Sequence, residues 1–214
     1  MKLYINPLTV NNIKVLLLCN ALEIEPELQV IALNKGEQRS DKFIAINPEG
    51  KVPVLQEGEL LLNESNAILQ YIAAKYQSTL WPSDLTEQAK VLRVLFWQSN
   101  YFNSGVGPLA HRKVVMPFWG FGTQEVDVEQ MTKFSKAVST LEDFLKDNKF
   151  VATEVVSIAD ISLAAFFIFA DKADMPLEHY PNIQAWLRNI SKQPWFSKTQ
   201  RYLEAITSEA ITSN

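Results

Sequence analysis

The chain of 214 residues has a single cysteine, Cys19. No disulfide can form within it, and zinc sites built from several thiols are excluded. A redox protein that cycles its own Cys-x-x-Cys pair is excluded too, and a reducing cytoplasm is the expected setting. Histidine is almost as scarce, with only His111 and His179, which are too few and too far apart in sequence to suggest a metal site. Positive charge is not in excess: 20 lysines and arginines face 24 acidic residues, so nucleic acid and acidic membrane surfaces are not expected partners. The most apolar stretch, Ile161 to Ala170, is about half the roughly 20 residues needed to cross a bilayer and reads as a buried helix. The first residues, Met1-Lys2-Leu3-Tyr4-Ile5-Asn6-Pro7, lack the apolar core of an export signal.

What is present is an ordinary globular balance, 47% hydrophobic and 21% charged, enough to bury a core in one large domain or two small ones. Lys2 to Ile5 reads as a strand and the run Ile13, Val15 to Leu18 as a helix. Leu28 to Leu33 follows as a second strand, expected to pair in parallel with the first. Val52 to Leu55 and Glu59 to Leu62 flank Gln56-Glu57-Gly58 as an antiparallel hairpin, after which Ser65 opens a helix carrying Ile68, Leu69 and Ile72. From Trp81-Pro82-Ser83-Asp84 onward only helical patterns occur, with Asp84 and Glu87 spaced as a capping box. Met131, Phe134, Val138, Leu141 and Leu145 form one stripe, and Ile183, Trp186, Leu187 and Ile190 another. The boundary is expected at residues 77 to 84, giving an α/β domain over 1–77 and an all-helical domain over 85–214.

The segment richest in chemistry is Asn47-Pro48-Glu49-Gly50-Lys51-Val52-Pro53-Val54-Leu55, followed by Glu64-Ser65. Proline cannot donate to a sheet ladder, so Pro53 at a strand start predicts an edge or a cis turn. Such a turn leaves the Val52 backbone free to pair with a peptide-like ligand lying alongside. Ser65 at a helix N-terminus offers a hydroxyl and unpaired N–H groups to a carboxylate, and Glu64 offers an acceptor to an ammonium group. These two match the ends of an amino-acid head group.

This order of elements, with Val-Pro before the hairpin and Glu-Ser at the next helix, resembles the cytosolic glutathione transferases, and the resemblance covers essentially the whole chain. It implies a thioredoxin-like N-terminal domain, an all-helical C-terminal domain and glutathione as co-substrate. Val52 would pair with the cysteinyl backbone, Glu64 and Ser65 would hold the γ-glutamyl end, and Lys51 would lie nearby. Gln38 and Arg39 match positions that approach the glycyl carboxylate in similar plant and bacterial proteins. Ser157-Ile158-Ala159-Asp160 resembles the capping box of the family's buried C-terminal helix, although the glycine that often precedes it is absent near Val151-Ala152-Thr153.

In that family a residue near the first helix N-terminus bonds the glutathione sulfur. Here Thr9, Asn11 and Asn12 occupy the region. Thr9 sits where theta- and phi-like members carry serine, and the Thr9 and Asn11 pair also resembles nu-class disulfide reductases, so Thr9 is the first expectation and Asn11 the second. Cys19 is expected to be buried and inert. Tyr101, His111, Phe118 and Trp119, within an aromatic-rich stretch, fall where the family builds its second-substrate pocket for a hydrophobic electrophile, a peroxide or a disulfide. A homodimer is implied. The competing reading is a non-catalytic module of the same fold used for docking, which has no need of the Lys51, Val52-Pro53 and Glu64-Ser65 set.

Overall fold

The computed structural model describes residues 1–209. Strands β1 (Lys2–Ile5), β2 (Glu27–Val30), β3 (Val54–Glu57) and β4 (Leu60–Leu62) form one sheet in the order β2-β1-β3-β4. β1 pairs in parallel with β2 across helix α1 (Val10–Ala21), and β3 runs antiparallel to both β1 and β4. Both strand pairings follow the sequence expectation, but the hairpin is tighter than read: Glu57 faces Leu60, leaving Gly58 and Glu59 as the turn, with Gly58 at φ 58°. Two-residue turns of this kind require positive φ, which glycine adopts without a steric penalty. The second strand is also shorter than Leu28 to Leu33, because the chain breaks at Leu33–Lys35 into two 3₁₀ turns, the next being Glu37–Arg39, before the short helix α2 (Asp41–Ile44).

The sheet is covered on both faces. Leu3, Ile5 and Leu55 point toward α1 and α3 (Ser65–Lys75) and join the main core, while Tyr4 and Val54 point the other way and pack with Ile31 and Phe43. The period-two alternation of a strand produces this division.

The remaining helices are α4 (Leu85–Trp97), α5 (Asn103–Ala110), α6 (Met116–Phe118), α7 (Val128–Leu145), α8 (Ile158–Phe167), α9 (Pro181–Ser191) and α10 (Pro194–Glu209). Wide π-helical turns at Gln98–Phe102 and His111–Val115 join α4 to α5 and α5 to α6. Every residue of α8 is buried, and α1 packs against both α8 and α10. One apolar cluster therefore runs from β1 and α1 through Phe102 and Phe166 to Trp186. The α7 stripe buries Phe134, Val138, Leu141 and Leu145, with Met131 at its margin; Ile183, Trp186 and Ile190 do the same on α9.

Asp84 caps α4 through the N–H groups of Thr86 and Glu87, while the Glu87 carboxylate turns to Lys90 instead of reaching back. At α8 the capping box is complete. Ser157 Oγ accepts from Ala159 N at 3.3 Å, and Asp160 accepts from Ser157 N at 2.9 Å. Asp160 also takes bonds from Val151 N and from Trp186 Nε1, so the helix start fixes the preceding loop and α9 at once. Burial pushes this carboxyl up while those hydrogen bonds pull it down. Among the described residues no helix is long and apolar enough to cross a membrane.

Candidate functional site

Two clefts adjoin at the seam between the sheet and the helical half. The first is polar, about 430 Å³ in volume, and includes Asn11, Lys51, Val52, Pro53, Glu64, Ser65 and Gln98 in its lining. Six of the residues singled out from the sequence thus meet in one place. The loop feeding it is braced by Asn47, whose Nδ2 donates to Lys51 O at 2.8 Å and whose Oδ1 accepts from Glu49 N at 3.2 Å. Gly50 is at φ 62°, and a Cβ there would stand 3.0 Å from the Gln38 carbonyl, so the close approach of the two loops needs glycine.

The Val52–Pro53 peptide is cis. Of the two sequence alternatives this is the one observed, since β3 is an interior strand and not an edge. Neither the N–H nor the C=O of Val52 has a hydrogen-bond partner among the described residues. Across the cleft Glu64 precedes α3 at φ 64°, a left-handed conformation that is unfavourable for a residue with a Cβ. Strained residues of this kind cluster at ligand sites. The next residue, Ser65, donates to Asn11 Oδ1 at 3.4 Å and leads a helix whose first N–H groups face outward unpaired.

The second cleft, about 340 Å³ and mostly apolar, includes Leu8, Thr9, Val10, Pro108, His111 and Val115 in its lining. Asn103, at the head of α5, lines both clefts and marks their junction. Thr9 is positioned by the turn after β1. Asn6 bridges to Ile31 O and to Leu8 N through its side chain, and its carbonyl accepts from Thr9 N and, at 3.3 Å, from Thr9 Oγ1. The Asn12 amide donates to Thr9 Oγ1, so that oxygen is held and its single proton is directed at Asn6. His111 stands edge-on to Trp119 with ring centroids 5.9 Å apart, and its pKa is lowered by burial first and then by the Arg112 charge.

The other expected residues lie elsewhere. Tyr101, on the outer side of the first π-helical turn, is 68% exposed and lines neither cleft. Phe118 and Trp119 pack partly buried against the core. Gln38, whose backbone borders Gly50, and Arg39 line neither cleft, and Gln38 Oε1 is buried with no partner. Cys19 is buried on α1 and its thiol is pushed up to about 12 by burial, which keeps it protonated and unreactive.

Sequence reasoning did not find Gln98, in the wall of the polar cleft, or Lys14, Asn66 and Ser162 behind it, four polar side chains joined by hydrogen bonds. Nor did it find the π-helical turns that carry Gln98 and His111, a feature that often marks functional sites. Asn47, the first residue of the quoted segment, and Asn63, which adjoins Glu64-Ser65, also line the cleft.

Residues 1–74 match the family model of the glutathione S-transferase N-terminal domain, and residues 100–194 match that of the C-terminal domain. Glutathione S-transferase 3 of Zea mays is 31% identical over 207 residues, spanning 93% of this chain and 92% of its own. Human glutathione S-transferase theta-2B is 37% identical over 139 residues, which are 63% of this chain and 57% of that protein. Among solved structures, human glutathione transferase theta-2 in complex with glutathione and an unknown ligand superposes with a TM-score of 0.84 at 27% identity, covering 100% of this chain and 91% of that one. Glutathione transferase F7 of Populus trichocarpa gives 0.83 at 28% identity, with 94% and 97% covered.

Proposed function

The chain belongs to the glutathione S-transferase family, and from this premise we propose that it binds glutathione in the polar cleft, ionises its thiol and passes the sulfur to an apolar electrophile in the adjoining cleft. The observation that carries this reading is the cleft itself. Unpaired Val52 backbone on one wall and Glu64-Ser65 on the other match a peptide with an amino-acid head group, and a separate apolar cavity opens at Asn103. Residues 1–77 form the glutathione-holding, thioredoxin-like domain in this reading, and residues 85–214 the helical domain that completes the second cleft.

In the proposed complex Val52 N–H and C=O pair with the cysteinyl residue, as an added strand would. The Ser65 hydroxyl and the N–H groups at the head of α3 receive the γ-glutamyl carboxylate, and Glu64 receives its ammonium. Lys51 is near enough for the peptide's other charges. The sulfur then falls at the junction, beside Thr9.

Thr9 is the proposed thiol donor, because its oxygen is already fixed by Asn12 and its proton needs only to turn from the Asn6 carbonyl. An anionic thiolate is the stronger acceptor of the two. Lowering a thiol pKa by about two units takes roughly 2.7 kcal/mol. One hydrogen bond to a charged group contributes about 1.5–3 kcal/mol, and the positive end of α1 roughly 0.3–1 more. No general base is needed. Asn11, in the polar cleft, is a second donor that secures the peptide next to the sulfur.

The mostly apolar character of the second cleft favours conjugation over reduction of a peroxide or disulfide. Pairing of two copies, the helical domain of one on the sheet domain of the other, is the assembly we propose. A cytoplasmic setting suits the one unpaired thiol.

The test is calorimetric titration with reduced glutathione and, separately, with its disulfide. Dissociation constants from micromolar to low millimolar are expected for the reduced form, with the disulfide weaker. Tighter binding of the disulfide would turn the assignment to redox chemistry. Failure of both to bind would leave a docking module.

A further inference from the structure

Among the described residues Lys14 is the one cation in the core. It projects from α1, is 1% exposed, and lies behind the wall of the polar cleft. Its ammonium donates to Gln98 Oε1 at 2.6 Å, to Ser65 Oγ at 3.3 Å and to Asn66 Oδ1 at 3.4 Å, and it stands 5.4 Å from the centre of the Phe166 ring. All four partners are neutral. A buried cation bonded to no carboxylate is costly, and an apolar side chain of the same length would serve the packing better.

The position supplies a second anion beside Glu64, which acts on Lys14 through space and forms no bond with it. Ser65 Oγ touches the ammonium and belongs to the cleft wall where a head-group carboxylate is read to bind. A carboxylate that takes the Ser65 proton from Asn11 Oδ1 stands about 3 Å beyond the hydroxyl, which puts anion and cation on either side of a single oxygen. Gln98 adds an independent sign. Its Oε1 accepts from Lys14, Asn66 and Ser162, while its Nε2 is buried without a partner in a residue that lines the cleft. The cradle therefore holds an unused donor as well as a cation bonded to no carboxylate.

We propose that Lys14 is the buried counter-charge of the carboxylate received by Ser65, a positioning residue that acts through the Ser65 hydroxyl and does not touch the ligand. The inference rests on the glutathione reading and narrows it to the amino-acid carboxylate end.

Its consequence is a proton linkage. Burial pushes Lys14 down to about 7, against the pull of Glu64. Glu64, at the head of α3, is the charged group acting on it. Cys19 on α1 stays protonated, the π-helical turn presents the neutral Gln98, and Asp160 on α8 is turned to Val151, Ser157 and Trp186. A bound carboxylate favours the ammonium and raises its pKa. Below pH 7 Lys14 is charged with or without ligand; above pH 7 it is neutral in the free protein and charged in the complex. Binding therefore takes up a proton above neutrality, and affinity falls as pH rises.

The probe is S-methylglutathione, whose sulfur carries no proton. Calorimetry in two buffers of different ionisation enthalpy is expected to give almost no proton uptake at pH 6 and about 0.9 proton at pH 8, with affinity lower by about tenfold. Lys14→Arg, always charged, keeps tight binding and abolishes the uptake, which also separates the effect from His111. Lys14→Met abolishes the uptake and weakens binding at pH 6 by at least about tenfold, raising KM more than it lowers kcat. The wild-type measurement needs no variant to fold. Binding with no proton uptake at pH 8 overturns the role of Lys14 and leaves the glutathione reading intact, whereas no binding of S-methylglutathione at any pH overturns that reading itself.

Discussion

Thr9 illustrates how much a single hydroxyl depends on its neighbours. Its oxygen accepts from Asn12, its proton points at the Asn6 carbonyl, and its backbone starts α1. A threonine at this point of a sequence reads equally well as a helix cap, yet its side chain makes no capping bond here. The hydroxyl is instead held at the edge of the apolar cleft. Thr9→Ala is expected to lower kcat/KM for conjugation by about 10- to 100-fold, the worth of one hydrogen bond to a charged atom. The dissociation constant of glutathione should change by less than about threefold, because the bond strengthens only as the thiolate forms. Steady-state kinetics beside calorimetry checks both; equal turnover in the variant would remove Thr9 from the mechanism. Thr9→Ser should retain most of the activity.

At the scale of elements, the helical half is set by close approach. Gly105 on α5 lies so near α7 that a Cβ there would stand 2.8 Å from both Ala137 Cβ and Lys133 O. Gln130 on α7 donates to the Ser104 and Gly105 carbonyls across the same contact, which leaves Pro108 in a helix already tied to its neighbour. Gly105→Ala gains about 1 kcal/mol of helix propensity. The overpacking costs about 1–3 kcal/mol, and the Lys133 backbone has little room to yield. A net loss of up to about 2 kcal/mol is expected, seen as a lower urea midpoint with unchanged slope. The second cleft should also distort, since its lining includes Asn103, Gly107 and Pro108 of this helix.

At the scale of the molecule, one apolar cluster joins the sheet, α1 and the helices of the second half, and Asn20 on α1 donates to Thr199 on α10 at 2.7 Å. Leu60 and Leu61 on β4 and Phe96 and Tyr101 near the end of α4 leave apolar surface exposed on both halves. Pairing of two copies is the expected use of that surface. Sedimentation at micromolar concentration should give a species of about twice the 24.3 kDa chain mass; a single-chain mass would count against pairing.

The order of strands and helices, a special turn at Pro53 as either an edge or a cis peptide, and the Glu64-Ser65 helix start were legible in the residues. Each rests on a local cause: alternation, periodicity, the missing N–H of proline, a hydroxyl where a helix begins. Local causes also brought Lys51, Val52, Pro53, Glu64 and Ser65 to one cleft, because the hairpin that separates them is short. They could not tell that Tyr101 turns outward or that Lys14 turns inward. A lysine on a helix reads as surface, and only the meeting of α1 with α3, α8 and the turn after α4 encloses it. The junction of the two clefts at Asn103 has the same origin, for it joins residues separated by about ninety positions in the chain. Sequence determined the elements and the chemistry that each carries. Tertiary packing alone decided which charge is buried and which cavity adjoins which, since both depend on contacts between segments that no local pattern records.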